Sequence, residues 1–360
     1  MTYIKKIWLD LRFLNKNDPY SNFVYGLTQK LIEETPEYFY NIYLDLSFAN
    51  LKFPDNSKNI FPKAKYKSLR EQTHLTKKIE KDNNDLVIFF TANKPIIFKK
   101  EYFVFIPDLA NIHFPENTNI IKKYLDKIIF QNTIKNAKKI ICFDKSLILE
   151  LNDLFNLNTE KIFNISPFFI KENKKFEEIE KIEINLKTKY NIKWNYIIYN
   201  SWVWNHKNLS NLIKVFKLIK QNNIEINLVI LDDESIKNLD FRKEVLENNL
   251  TDKIFFIWNI WEYEKNYFYK NTLWVIYPHL YSIFPFSLDK ALNSNSNIIA
   301  SDLKTTKNIF KDKIDYFNPN NYLDIYEKII KLEKKENNYN EIFVRYNINK
   351  TLEDLKKIIK

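Results

Sequence analysis

The chain has 360 residues, 45% hydrophobic and 16% aromatic, with 56 Lys and Arg against 45 Asp and Glu for a net charge of +11. That much apolar surface excludes a disordered chain, and the length suggests two domains, each able to bury its own core. A single glycine, Gly26, excludes a P-loop and an intact dinucleotide fingerprint, because both need glycine to let backbone approach phosphate.

Ile4 to Leu11 alternates as a first strand, a loop follows over Asn15 to Ser21, and Asn22 to Glu34 carries helical spacing. Further strand-like runs are Tyr40 to Leu46, Asp85 to Phe90, Tyr102 to Ile106, Lys139 to Phe143 and Lys161 to Ile165. Between them the spacing predicts helices over Tyr66 to Lys81, Ile120 to Asn136 and Ser146 to Phe155, the last with Asp144 as N-cap. Strand and helix in alternation predict a parallel sheet covered on both faces.

From Ile170 to Ile192 the composition turns to Lys and Glu, KENKKFEEIEKIEINLKTKY, and periodicity weakens. We place the linker at 171–194, between an N-terminal domain at 1–170 and a C-terminal domain at 195–335, with a helical tail at 336–360. The second domain restarts with strands at Tyr196 to Asn200, Glu225 to Leu231, Lys253 to Ile257, Leu273 to Tyr277 and Asn297 to Ser301. Helices are predicted over Leu209 to Gln221, Glu262 to Asn271 and Ser287 to Asn293. Two tandem Rossmann-like α/β domains result. Their strands' carboxyl ends face a ligand cleft, and the helices of Tyr322 to Lys360 are long enough to pack back across both.

One cysteine, Cys142, cannot close an intramolecular disulfide, which fits a reducing compartment. The N-terminal MTYIKKIWLDLRFL does not read as a signal peptide, and no apolar run reaches the roughly 18 residues of a membrane span. The expected address is cytoplasmic. Excess positive charge suits nucleic acid, anionic lipid or a phosphorylated substrate, and its even spread selects none of them.

Leu273 to Asp302, LWVIYPHLYSIFPFSLDKALNSNSNIIASD, resembles the C-terminal signature of glycosyltransferase family 4, whose architecture is GT-B. Other blocks follow the family order: IWLDLRFL at Ile7 to Leu14, SLREQ at Ser68 to Gln72 and FIPDLANIHFPE at Phe105 to Glu116. NAKKIICFDKSLILEL at Asn136 to Leu151, IIYNSWVWNHKNLSNLIKVF at Ile197 to Phe216 and DYFNPNN at Asp315 to Asn321 continue it. The motif residues fit less well. Two glutamates of the signature fall on Ser282 and Lys290, the glycine-rich loop becomes NDPYSN at Asn17 to Asn22, the basic pair becomes Ser201 and Lys207, and the His before Asp-Leu is Pro107.

The resemblance implies a transferase that moves a sugar from a nucleotide-sugar donor to a bacterial surface glycan or lipid-linked acceptor, with retention and no metal or other cofactor. Its donor site would use Lys207, His206, Ser201, Ser282, Ser287 and Lys290, and Asp108 would be the catalytic or acceptor-contacting residue. Lys207, between a strand and a helix N-terminus, would meet charge on the leaving diphosphate. The ordinary alternatives are a solvated lysine and histidine, helix caps for the serines, and a turn cap for Asp108.

His113 with Glu116 lacks a third ligand at metal spacing and reads as structural. Trp202, Trp204, Trp258 and Trp261 fall at strand ends, where a base or sugar would stack or the core would take them. The net charge suits peripheral contact with anionic lipid. A degenerate GT-B protein that binds a glycan or partner transferase is the alternative reading. A nucleic-acid binder would need one continuous basic face, and no nucleic acid is expected.

Overall fold

A computed structural model describes residues 3–16, 18–68, 70–115, 120–172, 189–190, 192, 195–200, 205–231, 239–258, 260–331, 333 and 335–360. The chain divides into two compact units, Met1–Ile170 with Tyr346–Lys360, and Lys171–Arg345. Most of the charged segment at 171–194, together with Ser201, Trp202, Trp204 and Glu116, lies outside the described residues.

In the first unit, strands β1 (Lys6–Asp10), β2 (Phe39–Tyr43), β3 (Ser57–Ile60), β4 (Leu86–Phe89), β5 (Tyr102–Ile106), β6 (Lys139–Cys142) and β7 (Ile162–Asn164) form one sheet. Their order is β3-β2-β1-β4-β5-β6-β7, and every pairing is parallel. The central strands are buried apolar runs such as LVIF and YFVFI, as a sheet covered on both faces requires. Trp8 of β1 meets Tyr43 and Phe89 edge-on at 4.9 and 5.2 Å.

The first helix, Pro19–Glu33, starts earlier than its apolar spacing suggests. Asp18 caps it, accepting from the Ser21 amide at 2.8 Å, and Pro19 takes the first position, where its missing N–H costs nothing. Asp144 caps Lys145–Phe155 as expected, accepting from the Ser146 amide at 2.7 Å. The helix expected over Tyr66 to Lys81 is shorter. Lys67 has φ 58°, which interrupts the helical backbone, and the helix opens as a wide π-turn at Glu71–Leu75 before the α-helix Thr76–Lys81.

The second unit repeats the plan with β8 (Tyr196–Tyr199), β9 (Asn227–Leu231), β10 (Ile254–Ile257), β11 (Trp274–Tyr277), β12 (Ile298–Ser301) and β13 (Asp315–Phe317). The order is β10-β9-β8-β11-β12-β13, again parallel throughout. Helix Leu209–Gln221 buries Leu212, Ile213, Val215, Phe216 and Ile219 in a core shared with Ile325 and Ile329 of helix Tyr322–Lys331. Two strands escaped the sequence reading: β3 (SKNI) is a half-exposed polar edge and β13 (DYF) has three residues.

Left-handed turn positions fall mainly to asparagine: Asn83, Asn156, Asn208, Asn223, Asn249 and Asn295 all have positive φ. Asparagine tolerates that region best among residues with a Cβ, so it serves where glycine ordinarily would. The final helix, Ile348–Ile359, belongs to the first unit. It packs on Pro19–Glu33, and Lys5 and Lys139 donate to its last carbonyls at 2.8 and 2.6 Å, neutralising its negative end. Among the described residues no helix is long and apolar enough to cross a membrane. Cys142 is buried, and burial pushes its thiol up.

Candidate functional site

Each sheet reverses its strand order once, between β1 and β4 in the first unit and between β8 and β11 in the second. Loops leaving the carboxyl ends of such strands diverge to opposite sides and open a crevice for ligands. His206 and Lys207 follow β8, and His279 follows β11. The Leu280 amide donates to the His206 carbonyl at 2.8 Å, tying the two loops together.

The Lys207 ammonium stands 3.5 Å from His279 Nδ1. The His279 ring lies 3.6 Å from the Tyr277 ring, centroid to centroid, and the Tyr277 and Ser282 hydroxyls share a hydrogen bond at 2.7 Å. Thr305 of helix Lys304–Phe310 donates to the Ser282 carbonyl at 2.6 Å. His206 meets His279 edge-on at 6.0 Å. Burial, reinforced by Lys207, pulls His206 down to about 3. The same causes hold His279 well below the ordinary histidine value, so both rings are neutral near pH 7 and Lys207 carries the local charge.

Helix Leu209–Gln221 begins directly after Lys207 and Asn208. Asn208 and Asn211 both donate to the Pro319 carbonyl, at 2.7 and 3.0 Å, which fixes that helix end to the DYFNPNN segment. A helix N-terminus beside a lysine is an anion site by geometry and by dipole.

Three residues singled out from sequence, His206, Lys207 and Ser282, are thus joined through two that were not, His279 and Tyr277. The missed histidine had a signal: it stands in Pro278-His279-Leu280, at the Ser of the signature's Pro-Ser-Leu. Ser287 lies in the short 3₁₀ turn Phe286–Leu288 and caps neither that turn nor helix Asp289–Asn293. Lys290 is in a different cluster, with its ammonium between the carboxylates of Glu172 and Glu262. Trp258 is covered by the Arg242 guanidinium at 4.4 Å, and Trp261 is 66% exposed.

At the carboxyl end of β1 lies a second, fully buried cluster. Arg12 donates to Asp10 at 2.8 and 2.7 Å through two nitrogens, and to Glu71 at 2.7 Å. Burial alone would lower Arg12, but Asp10 and Glu71 outweigh it and hold it above its ordinary value. Burial pushes Glu71 up against the pull of Arg12. Above this cluster Phe13, Tyr20 and Tyr66 meet as half-buried rings.

Asp108, just past β5, is exposed and accepts from the Ala110 amide at 2.9 Å. That is the contact of a turn cap. His113 pairs with Glu150 at 3.3 Å, and among the described residues no group of three or more His, Cys, Asp or Glu is arranged to hold a metal ion.

Against known proteins, the family model for glycosyl transferases group 1 matches residues 181–350. The O-antigen chain mannosyltransferase RfbU of Salmonella typhimurium is 22% identical over 229 residues, 64% of this chain and 60% of that protein, so the match spans well under two thirds of the relative's length. Anabaena Alr3699/HepE, solved with UDP and glucose, superposes with TM-score 0.72 at 12% identity, covering 99% of both chains. WaaG, a glycosyltransferase involved in lipopolysaccharide biosynthesis, gives 0.71 at 9% identity over 98% of this chain and 99% of its own. The fold is therefore α/β GT-B.

Proposed function

We propose that the chain is a glycosyltransferase that moves a sugar from a nucleotide-sugar donor to a bacterial surface-glycan or lipid-linked acceptor. The observation that carries this reading is the Lys207–His279 pair at the β8/β11 reversal, beside the N-terminus of helix Leu209–Gln221. When the donor bond breaks, negative charge grows on the departing diphosphate. A fixed ammonium and aligned backbone N–H groups meet that charge without reorganising. Lys207 takes the role that a metal would otherwise fill, so the reading needs no cofactor.

The match to the group 1 family over the second unit supports donor binding there. The likeness to an O-antigen mannosyltransferase and to WaaG supports a surface-glycan acceptor, and the UDP in HepE makes UDP the first donor to try. Retention and transfer of a hexose extend the same likeness. In the first unit Asp108 is the proposed acceptor-side residue. A cytoplasmic enzyme touching the membrane from one side is consistent with exposed Tyr124, Leu125, Leu149 and Leu154 near Lys127 and Lys145.

A second reading, a GT-B protein that binds a glycan or a partner transferase without turnover, is favoured by one observation. Lys290 replaces a motif glutamate and is engaged by Glu172 and Glu262. The test is thermal stabilisation by UDP, GDP and their sugars, for the native chain and for Lys207→Ala. A ligand present at a hundredfold excess over its Kd adds about 2.7 kcal/mol. Stabilisation by one nucleotide class that Lys207→Ala abolishes supports the transferase. No stabilisation by any nucleotide selects the second reading.

A further inference from the structure

The first unit holds a cavity of about 500 Å³ that none of the donor-site residues touches. Its floor comes from one face of three parallel strands. Lys6 pairs with Phe39 and Asn41 with Lys58 in register, and side chains paired in register share a face. The floor thus starts at the first residues of β1 and β2 and reaches the edge strand β3. Lys78 of helix Thr76–Lys81 and Asp82 just after it close the wall.

Lys6, Lys58 and Lys78 line this cavity together with one carboxylate residue, Asp82. Asp82 Oδ2 already accepts from the hydroxyl of buried Tyr43. None of the three lysines forms an ion pair among the described residues, although lysines elsewhere in the unit do, as at Lys30–Glu33 and Lys356–Glu34. Three like charges in one concavity repel one another and focus a positive potential into it. The surplus of about two charges among the lining residues, offset in part by Asp85 beside Lys6, suits the −1.5 to −2 of a phosphate monoester, whereas a lone carboxylate leaves more of it unmatched. The volume also falls within the range of roughly 300–1,000 Å³ that accommodates small ligands. Phosphate alone fills a fraction of it, and half-buried Phe39 and Ile60 present an apolar surface to the rest of a larger ligand.

We propose that this cavity is a binding site for a phosphate-bearing ligand, separate from the donor site, with Lys6, Lys58 and Lys78 holding the phosphate. The test uses the whole chain carrying Lys207→Ala, which removes the other proposed phosphate contact, and compares it with the same chain also carrying Lys58→Ala and Lys78→Ala. Calorimetric titration with inorganic pyrophosphate at low salt is expected to show binding to the first, weakened about tenfold or more in the second. A Lys217→Ala control is expected to bind as the first does. Flotation with phosphatidylglycerol vesicles, against phosphatidylcholine alone, distinguishes the source. Flotation lost in the Lys58/Lys78 variant and competed by pyrophosphate assigns a lipid headgroup, and pyrophosphate binding without flotation assigns a soluble phosphate. All three lysines are exposed, so the variants should melt with the parent. Equal pyrophosphate affinity in both chains overturns the proposal, as does binding in neither titration nor flotation.

Discussion

Lys207 and His279 come from loops 72 residues apart in sequence and stand 3.5 Å apart, Nζ to Nδ1. A cation at that distance faces a lone pair, so Nδ1 is the bare nitrogen and the ring proton sits on Nε2. That nitrogen is buried and has no hydrogen-bond partner among the described residues. Protonating the ring would set two cations side by side, next to a second buried histidine.

Acid should therefore destabilise the second unit. Because the folded-state values of His206 and His279 lie below 6.5, the unfolded chain binds more protons once pH drops under about 6.5. Stability contributed by the neutral rings is present above that pH and is lost as pH falls toward about 3 for His206. The slope is on the order of 1.4 kcal/mol per pH unit for each ring. Urea midpoints measured from pH 7 to pH 4 should fall, and fall less in His206→Gln.

Lys94 gives the opposite end of the scale. It is buried, with its ammonium donating to the carbonyls of Pro95, Ile96 and Phe98 and to Asn132 Oδ1 at 3.0–3.4 Å, and burial pulls it down to about 8. Between that value and the ordinary 10.5, the unfolded chain holds more protons than the folded one. Stability should accordingly rise as pH increases from about 8 to 10.5, by at most about 3 kcal/mol. Lys94→Met should flatten that rise in denaturation midpoints taken over the same range.

Removing Arg12 is expected to cost more than removing any single surface charge. Asp10 and Glu71 have side chains only 3% and 1% exposed, and Arg12→Met would leave both carboxylates buried beside no cation. The expected loss is about 3–5 kcal/mol at pH 7, shrinking as pH falls and Glu71, already pushed up by burial, protonates. Urea denaturation of the variant at two pH values checks both the size and the trend.

Lys290 separates the two functional readings. With its ammonium held by Glu172 and Glu262, Lys290→Ala should leave nucleotide stabilisation within about 0.5 kcal/mol of the parent, as for a partly exposed ion pair. A loss equal to that of Lys207→Ala would return Lys290 to the donor site.

The alternating βα plan was legible because central parallel strands are short continuous apolar runs, such as Leu86–Phe89 and Tyr102–Ile106. Polar edge β3 and the three-residue β13 carry too little of that signal. Lys207 was singled out through the Asn-His-Lys-Asn block that resembles a known family, and the fold brings it to His279. His279 was marked only by its place in Pro278-His279-Leu280, and Tyr277 by nothing, because their contacts depend on β8 lying beside β11, a neighbour relation that no local pattern encodes. Arg12 is similar: it sits two residues past β1, and its partner Glu71 is 59 residues away. The helix is shorter than the spacing over Tyr66 to Lys81 suggests because that apolar spacing continues through Lys67, where the backbone turns left-handed.

The placement of helix Ile348–Ile359 in the first unit has a consequence for biosynthesis. The ribosome releases Leu352, Leu355, Ile358 and Ile359 only after the entire second unit has emerged, yet these side chains are buried against the first. Until then the outer side of helix Pro19–Glu33 stays uncovered, and Lys5 and Lys139 lack the carbonyls they later bind. The nascent first unit therefore waits, partly wet, for residues synthesised after the whole second unit, and the second unit can fold ahead of it.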